Sequence, residues 1–159
     1  MAPLEQFKKG MATVSIYQRI QKHSKEFEDM FISGSESFGI QEFFNLCNVN
    51  YSPNGSNKRS GEEAIVLVWE EFVDSVDEER KVPLKDLLIF ITGSDAVPPG
   101  GFSKIIDIEF YDQLPGTRRL PFASTCALQI SLPRNVQTFD AMVDIMTQTI
   151  LLCQGFGQA

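Results

Sequence analysis

The sequence predicts an α+β fold, with helices and short strands over residues 50–159 and a helical segment over 1–49. Three observations carry that prediction. Apolar residues recur at helical spacing from Ile65 to Val76 and again from Phe139 to Cys153. Between these stretches two runs alternate apolar and polar residues, as a half-buried strand does. The stretch Asn50–Gly61, NYSPNGSNKRSG, holds no aliphatic residue and separates the two parts.

In chain order, Val14, Ile16, Tyr17 and Ile20, then Phe27, Met30 and Phe31, form short apolar helical faces. Ser33-Gly34-Ser35 interrupts them, and IQEFFNLC (Ile40–Cys47) adds another. These pieces bury little alone and read as the tail of a larger helical body. Pro53 and the pair Asn54-Gly55 make Asn50–Gly61 turn-rich, equally suited to a hinge or to an ordinary surface loop. Ser60 and Glu63 fit a capping box, in which each side chain satisfies an orphan backbone donor. The helix they open carries Ile65, Val68, Trp69, Phe72, Val73 and Val76.

A shorter helix begins at Pro83, where a missing N–H costs nothing, carries Leu84, Leu87, Leu88 and Ile91, and stops at Gly93. GSDAVPPGG (93–101) is a loop that lacks the spacing and lysine of a phosphate cradle. Ile106, Ile108 and Phe110 then alternate with Asp107 and Glu109. After the irregular stretch Tyr111–Thr125, Leu128, Ile130 and Leu132 alternate with Ala127, Gln129 and Ser131 in a strand ended by Pro133. The last helix takes Thr138 as N-cap, runs through Phe139, Met142, Val143, Met146, Ile150 and Cys153, and stops at Gly155.

At 159 residues, 43% of them apolar and 22% charged, the chain is about one globular domain. Its net charge of -7 repels nucleic acid and anionic membranes, so neither is an expected partner. The basic pairs Lys8-Lys9, Lys58-Arg59 and Arg118-Arg119 are too short for a phosphate site and read as solvated faces. MAPLEQFKKG lacks the apolar core of a signal peptide, and no apolar run reaches about 18 residues. A Cys/His zinc site would need Cys47, Cys126, Cys153 and His23 together, with no CxxC pair among them, so no metal or cofactor is expected. Free thiols and no leader point to a reducing, intracellular setting, cytoplasmic or nuclear.

LPFASTCALQISLP (Leu120–Pro133) leaves Cys126 two readings, a small buried hydrophobe at a strand start or an exposed nucleophile. This segment resembles the active-site segment of HECT-type ubiquitin ligases: Leu-Pro, a short interval, Thr-Cys, then a strand ending Leu-Pro. LLIFITGSDAVPPGGF (Leu87–Phe102) resembles the family's helix-to-loop stretch, and VWEEFVDSVDEER its tryptophan-bearing helix. GFGQA resembles its C-terminus, with Phe156 fourth from last. Four motifs in order over about 100 residues resemble the C-terminal catalytic lobe. More weakly, LEQFKKGMATV and FEDMFISGSESFGIQEF resemble the tail of the N-terminal lobe. Within the family, the chain resembles the G2/M-phase-specific ligase-like branch.

The resemblance implies a small mixed sheet flanked by helices, with the lobe over 50–159 and the tail of the other lobe over 1–49. It implies that ubiquitin passes from a ubiquitin-conjugating enzyme to Cys126 as a thioester, and then to a lysine of a protein substrate. Most of the lobe that recruits the conjugating enzyme would lie outside this chain. Thr125 would orient the sulfur or the oxyanion, or simply continue the strand; Phe156 would help position the thioester or the substrate, or pack on the helix end. Ser124 stands where many members have His, and Ala127-Leu128 where many have Phe-Asn. A relative without ligase activity, binding ubiquitin or another protein, is the alternative. An unrelated cysteine hydrolase fits poorly, with only His23 to serve as base. Exchange between two thiols of similar acidity is nearly balanced and needs no dedicated histidine. The lysine step needs help in losing a proton; Asp112, Asp140 and Asp144 are available, and none declares itself.

Overall fold

The computed structural model describes residues 3–31, 38–76, 82–98 and 100–155. They fall in two compact units, one of residues 1–37 with 98–101, the other of 38–97 with 102–159. The first unit carries α1 (Pro3–Thr13), α2 (Ile16–Lys22) and α3 (Ser24–Phe31). Ser15, with φ 60°, turns the chain between α1 and α2. Neither of these two helices buries a residue, and Leu4, Phe7 and Val14 stand exposed.

The second unit holds α4 (Ile40–Asn45), β1 (Cys47–Val49), α5 (Asn57–Asp74), α6 (Leu84–Thr92), β2 (Ile106–Tyr111), β3 (Phe122–Ser124), β4 (Gln129–Pro133) and α7 (Phe139–Gly155). The sheet order is β1-β2-β4-β3. The first three strands are parallel and β3 runs antiparallel to β4, so the sheet is small and mixed. Ile106 and Ile108 of β2 and Ile130 and Leu132 of β4 are buried, with Ile108 paired to Ile130 and Phe110 to Leu132. Ile65, Trp69, Phe72 and Val73 of α5, Leu87, Leu88 and Ile91 of α6, and Met142, Met146 and Ile150 of α7 complete one apolar cluster with them. Each such aliphatic side chain contributes about 1.5–3 kcal/mol by leaving water. This unit starts at Phe38, because Phe43 of α4 is fully buried in the same cluster.

Four local expectations are corrected. The cap of α5 is Ser56, whose Oγ accepts from the Arg59 amide at 3.2 Å, so Ser60 lies inside the helix. Glu63 pairs instead with Arg59 one turn back, at 2.8 Å. Cys47 ends no helix: it opens β1, which exists because Cys47–Val49 pairs with Ile106–Ile108. Phe122–Ser124, expected to be irregular, is the edge strand β3. Leu128 precedes β4 rather than belonging to it, and Ser131, expected on the polar side of the alternation, is buried.

The turn-rich stretch after β1 is bound down. Asn50 donates its amide to the Ile108 carbonyl at 2.9 Å, Tyr51 stacks on Phe110, and Arg59 lies 4.1 Å over the Tyr51 ring. The Ser52 amide and hydroxyl both donate to Glu62 at 2.7 Å. Glu62 is itself fully buried and paired with Arg134 at 2.8 Å.

Candidate functional site: a cysteine on a hairpin turn

β3 and β4 form a hairpin closed by the pair Ser124–Gln129, with the turn Thr125–Leu128 between them. Ala127 donates its amide to the Ser124 carbonyl at 3.1 Å, and Leu128 donates to Thr125 at 3.4 Å. The turn has one buried foot, Leu128, only 6% exposed. Cys126, two residues earlier, is exposed. Of the two readings open for this cysteine, the buried one is excluded: the strand begins after it, and the turn carries the side chain out of the core.

Thr125 is exposed beside Cys126. Its methyl lies where a Cβ on Gly93 would meet it at 3.6 Å. Gly93 caps α6 with φ 76°, a conformation glycine adopts without penalty. Around it the Thr92 hydroxyl donates to the Leu88 carbonyl at 2.8 Å, and the Ser94 amide donates to the same hydroxyl at 3.1 Å. The Thr92-Gly93-Ser94 and Thr125-Cys126 motifs, far apart in sequence, therefore adjoin. Ala127 and Leu128, where the family resemblance departs, form the second half of the turn. Phe156 lies outside the described residues.

The irregular approach to β3 is also tied. Tyr111 donates its hydroxyl to the Arg119 carbonyl at 2.8 Å and packs on Phe122 at 5.3 Å between ring centres. Arg119 lies 4.0 Å over the Phe122 ring. Other members of the basic pairs bind carboxylates: Lys58 meets Asp112 at 2.7 Å and Arg118 meets Asp144 at 2.6 Å. Lys58 first, then Arg134, holds the Asp112 carboxyl below its ordinary range. Asp112 and Asp144 are thus engaged by cations, and Asp140 is exposed.

Among the described residues, Cys126 Sγ has no hydrogen-bond partner. His23, in the first unit, sits 3.5 Å from Glu26. The other cysteines differ from Cys126. Burial pushes the half-buried Cys47 thiol up to about 12, which leaves it protonated near neutrality. Cys153, expected in the core, is exposed near the end of α7, where partial burial still raises its thiol pKa. It continues the apolar spacing of the helix past the part that faces the core. Among the described residues no cluster of three His, Cys, Asp or Glu side chains is arranged to hold a metal. Sequence reasoning missed the part played by Leu128 and the Gly93–Thr125 contact; the only signal was Gly93 itself, read as a helix stop.

The model for the family described as HECT-domain (ubiquitin-transferase) matches residues 1–159. The G2/M phase-specific E3 ubiquitin-protein ligase of Gallus gallus is 26% identical over 69% of this chain and 14% of its own length. The Homo sapiens protein of that name is 28% identical over 67% of this chain and 14% of its own length. The Apoptosis-resistant E3 ubiquitin protein ligase 1 of Homo sapiens is 36% identical over 54% of this chain and 10% of its length. The chain thus spans about one seventh of the G2/M phase-specific relatives it matches. With a family match from end to end and the Thr-Gly-Ser and Thr-Cys motifs side by side, the chain belongs to the HECT-domain (ubiquitin-transferase) family.

Proposed function

We propose that this chain is the ubiquitin-accepting part of a ubiquitin-protein transferase, with Cys126 as the acceptor. The observation that carries the reading is the exposed thiol at the tip of the β3–β4 hairpin, beside Thr125 and the cap of α6. In the first step the Cys126 thiolate attacks the carbonyl of the thioester joining ubiquitin to a conjugating enzyme. A new C–S bond forms, the old one breaks, and the enzyme's thiolate leaves. In the second step a substrate lysine, as free amine, attacks the Cys126 thioester. The C–N bond forms, Cys126 leaves as thiolate, and the amine proton passes to a base.

The missing histidine partner does not oppose the first step, because cysteine is already a few per cent thiolate at neutral pH and strongly nucleophilic. Thr125, the residue before the reacting cysteine, orients the sulfur or the oxyanion through its hydroxyl; Phe156 positions the thioester. Ubiquitin, a conjugating enzyme and a protein substrate are the partners this reading requires.

A small-molecule thioester of the ubiquitin C-terminus tests the acceptor without a conjugating enzyme. The chain should form a reductant-sensitive ubiquitin adduct, and Cys126→Ala should form none. Equal adduct in Cys126→Ala would refute the assignment. No adduct in either, with ubiquitin binding retained, would favour a non-catalytic binding module.

A further inference from the structure

Leu128 holds a backbone conformation that its residue type disfavours. Its φ is 46°, in the left-handed region where the Cβ of an L-residue crowds the following carbonyl and where glycine and asparagine sit most easily. Leu128 and Ser15 are the two non-glycine residues found there among the described residues, and Ser15 belongs to the first unit.

Three contacts impose this conformation. The side chain is 6% exposed and belongs to the central apolar cluster. The carbonyl accepts the Asp107 amide at 2.9 Å, which ties the residue to the start of β2. The amide of Leu128 reaches back to Thr125 at 3.4 Å and so closes the turn that carries Cys126. Core burial, sheet bonding and turn closure thus meet in one residue, two positions from the exposed thiol.

We infer that Leu128 is a positioning residue for Cys126: its buried side chain clamps a strained turn whose outer side presents the thiol. The inference rests on Cys126 being the reacting cysteine, and its direct consequence is where Sγ stands. Glycine or asparagine at 128 would keep the turn through backbone preference without the anchor. Alanine would have neither the anchor nor the preference.

The test uses the whole chain with Leu128→Gly, Leu128→Asn and Leu128→Ala. The alkylation rate of Cys126 is read by peptide mapping against that of Cys153, beside the thermal unfolding midpoint. The left-handed penalty of an L-residue corresponds to roughly a five- to thirty-fold change in conformer ratio. Leu128→Gly and Leu128→Asn should therefore hold the Cys126/Cys153 rate ratio within about twofold of the parent chain. Leu128→Ala should change it about fivefold or more, and should unfold below Leu128→Gly although its side chain is larger.

A rate ratio that does not distinguish alanine from glycine overturns the inference. Loss of folding in all three variants alike also overturns it, since that is how a plain core residue behaves. Alanine unfolded with glycine folded supports it. Alkylation needs no ubiquitin, so a failed loading test with this pattern intact would fault the thioester reading and leave the role of Leu128 standing.

Discussion

The two ends of β4 are secured in different ways. At its C-terminal end Arg134 donates to Glu62 and Asp112 at 2.8 and 3.0 Å, Ser52 donates twice to Glu62, and Lys58 meets Asp112. At its N-terminal end the turn has a single apolar foot, Leu128, and an exposed thiol with no hydrogen-bond partner among the described residues. One end satisfies a buried carboxylate from several sides. The other fixes one residue so that its neighbour can face solvent. A side-chain polar network over-determines a geometry, whereas a turn held by one buried side chain and its backbone bonds leaves a nearby side chain exposed.

Arg134→Ala should produce the largest effect. It leaves the fully buried Glu62 carboxylate with its two Ser52 donors but no cation, and breaking one side of a buried pair costs about 3–5 kcal/mol, read as a fall in unfolding midpoint. Alkylation of Cys126 in the folded variant should not change. A large change there would show that the two ends are coupled, and the contrast between them would fail.

Acid should weaken the same end next. Burial by itself raises the Glu62 pKa, but the Ser52 hydrogen bonds and Arg134 outweigh it and hold the carboxyl below its ordinary value of 4.5. A depressed carboxyl stabilises the fold fully above the unfolded value and loses that contribution as pH falls through the folded one. Unfolding midpoints followed downward from neutral pH should therefore hold until the carboxylate range and then drop. The deficit of Arg134→Ala should shrink over the same interval as its unpaired Glu62 protonates. A deficit that grows in acid would contradict this account of the pair.

Ser52→Ala removes one hydrogen bond to a charged group and should cost about 1.5 kcal/mol in denaturant unfolding. Cys126→Ala should move stability by no more than about 0.5 kcal/mol, the usual range for a surface position. A much larger loss for Cys126→Ala would mean that the thiol supports the turn, against its exposed placement.

The sequence made most of the helices and two of the strands legible, because α5, α6, α7, β2 and β4 each repeat their apolar period. β1 and β3 were hidden by their length: three residues cannot display a period, and these strands form only because β2 and β4 offer them edges. The S-x-x-E pattern pointed to Ser60 as the start of α5. The chain instead caps with Ser56, extending the helix back to Asn57, where Lys58 and Arg59 find Asp112 and Glu63. Cys153 shows the reverse error, since its spacing fits the apolar stripe although it is exposed.

At the proposed site, the motifs pointed to the cysteine but not to what exposes it. A leucine with positive φ has no sequence signature, because propensity argues against it. The approach of Gly93 to Thr125 is a tertiary contact between segments whose separation no local pattern bridges.

Cys126→Ser tests the central claim most directly, because it replaces the proposed acceptor sulfur with oxygen while keeping the turn. With the ubiquitin thioester as donor, the parent chain should give an adduct cleaved by a thiol reductant. Cys126→Ser should give either none or a slower oxygen ester that survives the reductant and yields to mild base. A reductant-labile adduct of parental yield on Cys126→Ser would place the ubiquitin on another cysteine and contradict the account.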